Sequence, residues 1–293
     1  MSDNACPICL ERCSQRFVER KWEYSIYECS NCTVQYSVPL KSDHTDKRIR
    51  KGYRRRLELV GNYIGWAHRE FLKHDIKTGG RVLEIGCGTG DFIFLANKQG
   101  YNAIGVDLDK DAVLVGRTHW KMDFIFPMHA EEYFLQQGGK RFDIVCLFAV
   151  LEHLSNPHFF FKEIKKYLNI GGYVILEVPN NDSFLTKLYR KVTRVIDYPP
   201  QHLLRWNKKS IEIFLELHGF EVVMRKTCEP TITDIIPDLY KLYSPSFLKT
   251  ATVMRLSGFT CKILSHLDFI VKRFVKEGRS QLVIARLAEK EEK

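Results

Sequence analysis

The residues best suited to ligand chemistry lie in Val82-Leu83-Glu84-Ile85-Gly86-Cys87-Gly88-Thr89-Gly90-Asp91-Phe92. Three glycines at alternate positions permit a sharp turn and a backbone approach to a ligand that any Cβ would block. An apolar run precedes the turn, a helical pattern follows it, and Asp107 closes a second apolar run, Tyr101 to Val106. A carboxylate after the second strand can accept hydrogen bonds from both ribose hydroxyls. The arrangement predicts a nucleotide-type cofactor at the edge of a parallel sheet.

A second constellation is Cys6-Pro7-Ile8-Cys9 with Cys29-Ser30-Asn31-Cys32, two CxxC pairs separated by nineteen residues. The spacing fits a tetrahedral thiolate site in which each pair clamps one side of a zinc ion. A thioredoxin-like redox site needs one pair only, and unrelated free thiols are the bland alternative. Four cysteine ligands leave no open coordination position, so the expected zinc is structural. A segment of this length buries too little apolar area to fold alone, and metal binding would supply the missing free energy. Cys13 reads as a spare loop thiol; Cys87, Cys146, Cys228 and Cys261 read as small core residues.

The elements that must position these residues follow from hydrophobic periodicity. Strands are expected at Arg81–Ile85, Ala103–Val106, Phe142–Leu147, Tyr173–Val178, Glu221–Lys226 and Gln281–Leu287, with helices over Asp91–Lys98, Pro157–Leu168 and Lys209–Leu217 between them. Alternation of this kind predicts an α/β domain with a parallel sheet covered on both faces. Gly171-Gly172 and Gly219 are expected as helix C-terminal caps. The chain divides into a cysteine-rich ribbon over 1–40, a basic helical linker over 41–77, and the α/β domain over 78–293, with a helical insertion at about 229–278. The linker holds the run Lys47–Arg56 and a helix through Leu57, Val60, Ile64 and Phe71. The insertion carries an apolar stripe, Leu256, Phe259, Ile263, Leu267, Ile270 and Phe274, accompanied by basic residues.

The chain has 293 residues, 45% hydrophobic and 27% charged, as an ordinary globular protein has. No apolar run reaches transmembrane length and the first residues are polar, so a cytoplasmic location is expected. That compartment keeps thiols reduced, which again favours metal over disulfides for the nine cysteines. A net charge of +10 favours anionic partners, a membrane surface or nucleic acid.

The glycine turn, Gly105-Val106-Asp107, Phe142-Asp143-Ile144-Val145, Val150-Leu151-Glu152-His153-Leu154, Leu168-Asn169-Ile170-Gly171-Gly172, Glu177-Val178-Pro179-Asn180, Pro200-Gln201-His202-Leu203 and Gly219-Phe220 follow one another in order. Over about residues 78–228 this sequence resembles the class I S-adenosylmethionine-dependent methyltransferases, and best the ubiquinone-biosynthesis-like branch that acts on small molecules. Some members of that branch carry an N-terminal zinc ribbon. The resemblance implies a Rossmann-like seven-stranded methyltransferase sheet. It also implies that Gly86, Gly88 and Gly90 line the methionine part of the cofactor, with Glu84 beneath the loop. Asp107 would hold the ribose hydroxyls and Leu108 would pack on adenine; Cys87 and Phe148 complete the implied cofactor set. The family often places an acid near the adenine amino group; this chain has His129 there, followed by Ala130, whose backbone amide can serve instead. A nicotinamide-dependent dehydrogenase would need G-x-G-x-x-G, and position 91 is Asp.

Methyl transfer from a sulfonium asks the protein to align the nucleophile and, where necessary, to remove its proton. His153 and His202 lie after strands whose carboxyl ends bind ligands in open sheets, and histidine suits general-base work. The plainer reading gives His153 a part in orienting its turn and His202 a part in fixing a lid loop. The helix over Ser183–Val195 has a basic side, either a solvated face or a grip on an anionic substrate. The expected substrate is a small molecule, anionic if the basic helix grips it: a sugar nucleotide, a quinone or polyketide-like ring, or a lipid-linked precursor. An RNA base methyltransferase is the alternative, with the Lys47–Arg56 run on phosphate, although Phe148-Ala149-Val150 stands in place of an Asn/Asp-Pro-Pro-Tyr signature. A fold-only binding protein is disfavoured by the intact glycine turn, and the 256–274 stripe reads as a core-packed helix or as a peripheral membrane contact.

Overall fold

A computed structural model describes residues 5–41, 60, 61, 64–193, 197–231, 236 and 268–288. The run Lys47–Arg56 and the stripe from Leu256 to Leu267 lie outside the described residues. The chain opens with three antiparallel strands, β1 (Gln15–Lys21), β2 (Tyr24–Cys29) and β3 (Gln35–Val38). After the helix α1 (Trp66–Phe71) come β4 (Arg81–Ile85), α2 (Asp91–Lys98), β5 (Asn102–Val106), α3 (Lys110–Trp120) and β6 (Ile125–Phe126). Then follow α4 (Ala130–Gln136), β7 (Phe142–Phe148), α5 (Pro157–Tyr167), β8 (Leu168–Pro179) and α6 (Phe184–Thr193). The described elements end with β9 (Leu204–Arg205), α7 (Lys208–Leu217), β10 (Phe220–Thr227), α8 (Asp268–Phe274) and β11 (Ser280–Leu287).

The main sheet has seven strands in the order β10-β11-β8-β7-β4-β5-β6. β4, β5, β6, β7 and β8 pair in parallel, as the alternation of strands and helices requires. The expected parallel sheet is present over these five strands, within the expected seven-stranded sheet, and is modified at one edge. β11 runs antiparallel to both β8 and β10, inserted between strands that precede it in the chain. The glycine pair at 171–172 is a correction. α5 passes directly into β8, so Gly171 and Gly172 lie within the strand and cap nothing. Gly219 does follow α7, with φ +75.

Local sequence explains where the helices begin. Asp109 accepts from the backbone N–H groups of Asp111 and Ala112, at 3.0 and 3.1 Å, and starts α3. Asn156 and Pro157 start α5, and Asn207 with Ser210 forms a reciprocal cap on α7.

The N-terminal strands are continuous with the domain. β3 pairs with β9, Gln35 opposite Arg205 and Tyr36 opposite Leu204, giving a four-stranded sheet β1-β2-β3-β9. The Nδ2 of Asn207 donates to the carbonyl and the hydroxyl of Thr33, both at 2.8 Å. Cys6, Ile8, Val34 and Tyr36 belong to the same buried cluster as Phe161, Leu203, Trp206 and Phe214.

The turn after β4 is held by backbone against backbone. A Cβ on Gly116 of α3 would lie 2.2 Å from the carbonyl oxygen of Thr89, and one on Gly90 would lie 2.5 Å from Met122 Cε. Gly90 also has φ +72, the left-handed region that glycine enters without strain. Gly116→Ala is therefore expected to push α3 off the turn and to destabilise the fold by about 1–3 kcal/mol, the usual range for overpacking. Urea denaturation measures the loss, and an unchanged midpoint would contradict this packing.

Candidate active site

The glycine turn and Asp107 build one wall of a cavity of about 380 Å3. The backbone N–H of Gly88 donates to Asp107 Oδ2 at 2.7 Å, and that of Asp109 to Asp107 Oδ1 at 2.8 Å. Gly86 and Cys87 both donate to the carbonyl of Val106, at 2.8 and 3.2 Å. These bonds tie the turn to the end of β5 and aim the Asp107 carboxylate.

Of the predicted cofactor residues, Glu84, Gly86, Cys87, Gly88, Asp107 and Phe148 line the cavity. Gly90, Leu108, His129 and Ala130 are not in its lining. Gly90 instead packs α2 against β6 and Met122. Leu108 is 63% exposed, and His129 stands exposed at the N-cap of α4 with Ala130 as the first helical residue.

The lining also contains residues to which no cofactor role was assigned: His68 on α1 and Asp109, outside any quoted motif, and Asp91, Phe92 and Glu177, which lie within motifs. His68 stacks on Phe92 with ring centroids 5.3 Å apart and meets the edge of Phe148 at 4.3 Å. Its Nδ1 accepts from the backbone N–H of Gly65 at 3.1 Å, which leaves the proton of the neutral ring on Nε2. Burial pushes the His68 imidazolium down to about 4, so the ring is neutral near pH 7. Glu84 Oε1 lies 3.9 Å from that Nε2. Both His68 Nε2 and Glu84 Oε2 are buried without a hydrogen-bond partner. Burial, reinforced by Asp107 and Asp91, raises the Glu84 carboxyl well above the ordinary carboxylate range.

Among the described residues the lining thus holds five carboxyl groups, from Glu84, Asp91, Asp107, Asp109 and Glu177, and neither Lys nor Arg. A cavity of this charge repels a pyrophosphate and favours a cation. A small cationic molecule with an ammonium for Glu84 and hydroxyls for Asp107 meets the orphaned Glu84 oxygen and suits the acidic lining.

His153 and His202 stand together and are not in the lining of this cavity. The turn Leu151–His153 follows Phe148 and Ala149, which belong to the lining. The two imidazole rings are 4.8 Å apart and close to perpendicular, and one ligand atom from each, with a carboxylate oxygen of Glu152, falls within a 4.8 Å span. His153 Nδ1 contacts the carbonyl of Gln201 at 2.5 Å, and His202 Nδ1 lies 3.0 Å from Asp197 Oδ1. Glu152 is fully buried, which pushes its carboxyl up to about 7 against the lowering effect of His202.

The four cysteines of the CxxC pairs converge at the other end of the four-stranded sheet. Cys6 and Cys32 Sγ are 3.7 Å apart, as are Cys9 and Cys29 Sγ, and all four lie within 4.8 Å of one another. Zinc–sulfur bonds of about 2.3 Å in tetrahedral array require sulfur–sulfur edges of about 3.8 Å, so the donor set fits the ion. All four are free thiols, and Cys13 brings a fifth sulfur to 3.2 Å from Cys29.

Comparison with known proteins agrees with this geometry. The family described as "Methyltransferase domain" matches residues 53–224, more than half of the chain. A ubiquinone biosynthesis O-methyltransferase of Glaesserella parasuis is 31% identical over 150 residues, which cover 44% of this chain and 63% of that protein. An uncharacterized protein of Methanocaldococcus jannaschii is 32% identical over 152 residues, covering 52% of this chain and 69% of its own length. Among solved structures, a SAM-dependent methyltransferase from Archaeoglobus fulgidus superposes with a TM-score of 0.52 at 22% identity, covering 82% of this chain and 100% of that one, a likeness of fold. With its seven-stranded sheet, its glycine turn and this family match, the chain belongs to the class I S-adenosylmethionine-dependent methyltransferases.

Proposed function

We propose that the protein transfers a methyl group from S-adenosylmethionine to a small-molecule acceptor. The observation that carries this reading is the acid-lined cavity, to which the described residues contribute five carboxyl groups and no Lys or Arg. S-adenosylmethionine has a sulfonium and an ammonium against one carboxylate, whereas a dinucleotide brings anionic phosphates that these groups would repel. Glu84 would hold the ammonium, and Asp107 the ribose hydroxyls. Phe92 and Phe148 would exclude water and offer ring faces to positive charge. When bound, the cofactor supplies an activated methyl and its leaving group; the chain's own residues bind, orient and desolvate. His202 and His153 are the candidates for handling an acceptor proton. The acceptor class, a sugar nucleotide, a quinone or polyketide-like ring, or a lipid-linked precursor, draws support from the ubiquinone-type relative. The RNA alternative rests on Lys47–Arg56, which lie outside the described residues; the small-molecule reading is preferred because the ubiquinone-type relative supports it. Among the described residues no helix is long and apolar enough to cross a membrane; a cytoplasmic setting suits the free thiols. We also propose a structural zinc on Cys6, Cys9, Cys29 and Cys32, with no position open for substrate.

Isothermal titration separates the cofactors directly. S-adenosylmethionine is expected to give a saturable heat and NAD none; absence of the first would overturn the proposal. Asp107→Ala should weaken binding by about 10–100-fold, the loss of one or two hydrogen bonds to a charged group.

Glu84 makes a pH-linked prediction. Burial raises its folded-state value above the unfolded one, so its contribution to stability is full below the ordinary carboxylate range and is lost as pH rises through the folded value. Glu84→Gln should remove that decline in the ligand-free protein while weakening the cofactor. An ammonium would draw Glu84 into its charged form, so binding should release protons. Titrations in buffers of different ionisation enthalpy measure this release, and it should vanish in Glu84→Gln; persistence in the variant would assign the proton to another group.

Purified protein is expected to hold about one zinc per chain, the stoichiometry of a four-cysteine site, by atomic absorption. Cys29→Ser should lower both metal content and melting temperature. Full retention of metal would exclude Cys29 as a ligand.

A further inference from the structure

A buried chain of charged contacts runs from the N-terminal strands to His202, and cofactor binding does not use it. Glu19 on β1 accepts from Arg205 Nη1 at 2.9 Å and, through its other oxygen, from the Tyr198 hydroxyl at 3.2 Å. Arg205 on β9 is only 3% exposed; it also donates to Gln35 Oε1 at 3.2 Å and, through Nε, to the Asp197 carbonyl at 3.2 Å. Asp197 receives Arg190 Nε at 2.7 Å on one carboxylate oxygen and faces His202 Nδ1 at 3.0 Å with the other. Its backbone sits at φ +70, the left-handed region, a conformation retained where surrounding contacts over-determine it.

These contacts set the chemistry of one ring. Burial works against the Asp197 charge, but the hydrogen bond from His202 and the guanidinium groups of Arg190 and Arg205 outweigh it and hold the carboxyl at about 2. An ionised carboxylate is acceptor only, so His202 Nδ1 must carry the proton in that bond. The neutral ring then presents Nε2 as a lone pair, and among the described residues that nitrogen has no hydrogen-bond partner. The backbone fixes the ring's place as well. The N–H of His202 donates to the Tyr198 carbonyl at 3.0 Å, and that of Leu203 to the Glu152 carbonyl at 2.9 Å, in the turn that follows the cavity wall.

Resting on the methyltransferase reading, we propose that Asp197 is the positioning residue of an Asp197–His202 dyad, held by the N-terminal ribbon through Glu19 and Arg205, which keeps Nε2 of His202 as proton acceptor for a hydroxyl-bearing substrate. A hydroxyl oxygen must lose its proton as it is methylated. Its lone pair forms the new oxygen–carbon bond, the carbon–sulfur bond breaks with its electron pair left on sulfur, and the proton passes to His202 Nε2. Asp197 stabilises the resulting imidazolium, and the proton leaves to water once the product has gone. In this arrangement the ribbon orients a reacting side chain, beyond any part it has in folding.

Long-range 1H–15N correlation spectra of the full-length, zinc-loaded protein test the dyad without a substrate. His202 is assigned by its disappearance in His202→Gln. In the wild type the Nδ1–H form of His202 should exceed the Nε2–H form by at least about tenfold, the bias that a hydrogen bond to a charged group provides. Asp197→Asn should abolish that bias, and Glu19→Gln should reduce it several-fold while Glu23→Gln, on the exposed hairpin, leaves it intact. A wild-type ring in the Nε2–H form, or a bias that survives Asp197→Asn, overturns the dyad. A bias untouched by Glu19→Gln, in a variant whose melting temperature has fallen, overturns the role of the ribbon. Calorimetry with S-adenosylmethionine on the same samples keeps the two readings apart: no heat sinks the cofactor assignment whatever the tautomer.

Discussion

The site depends on one constraint, the direct approach of backbone to backbone around the turn between β4 and α2. Gly116 lets α3 touch the carbonyl of Thr89, and Gly90 lets α2 start against Met122 and Ile125. Only with those contacts made does the N–H of Gly88 reach Asp107 Oδ2 at 2.7 Å. That bond fixes both the shape of the turn and the direction of the carboxylate. A methyl group on Gly116 would meet the main-chain carbonyl of Thr89, which cannot rotate out of the way as a side chain can, whereas one on Gly90 would press on the side chains of Met122 and Ile125 and strain a left-handed backbone.

The same convergence gathers charge. The protein carries +10 overall, yet its cavity is lined by five carboxyl groups. Like charges at close range disfavour ionisation, and the groups escape in different ways. Asp107 is satisfied by backbone N–H donors at 2.7 and 2.8 Å. Glu177 accepts from the Ser280 hydroxyl at 2.6 Å, although burial still raises its carboxyl. Glu84 has no partner for one oxygen and is biased towards its neutral form. The cavity is therefore electrostatically incomplete, and a ligand with positive charge relieves what the fold leaves unresolved.

Much of this was legible in the sequence because it rests on local patterns. The glycine turn, the apolar run before it and the acid after β5 are contiguous signals, and Arg81–Ile85 appears as a strand with the bounds expected. What escaped has a long-range cause. β9 is two residues long and exists only because β3, more than 160 positions earlier, supplies its partner. β6 is equally short and is placed by β5. His68 lies on a six-residue helix without a motif, and it reaches the cavity only because Phe92 and Phe148 converge on its ring. Leu108 and His129 were assigned by resemblance, and they stand exposed outside the cavity lining. The β11 reversal was likewise hidden, since an apolar strand pattern carries no sign of its direction.

The N-terminal ribbon shows what such long-range pairing can do. By length it is a segment that cannot bury enough apolar surface to be stable alone, and a metal on its cysteines would provide one remedy. The domain provides another: β9 completes its sheet, Asn207 bonds the Thr33 backbone, and Trp206 and Phe214 share a core with Ile8 and Val34. Once the ribbon is stabilised by the domain, the coupling is reciprocal, because the strand that completes the ribbon is the one that carries Arg205. A displacement of β3 must move β9 or break its ladder, and moving β9 shifts the guanidinium that holds the Asp197 carbonyl and faces Glu19. The segment that the sequence presents as an appended module is thereby part of the support for His202.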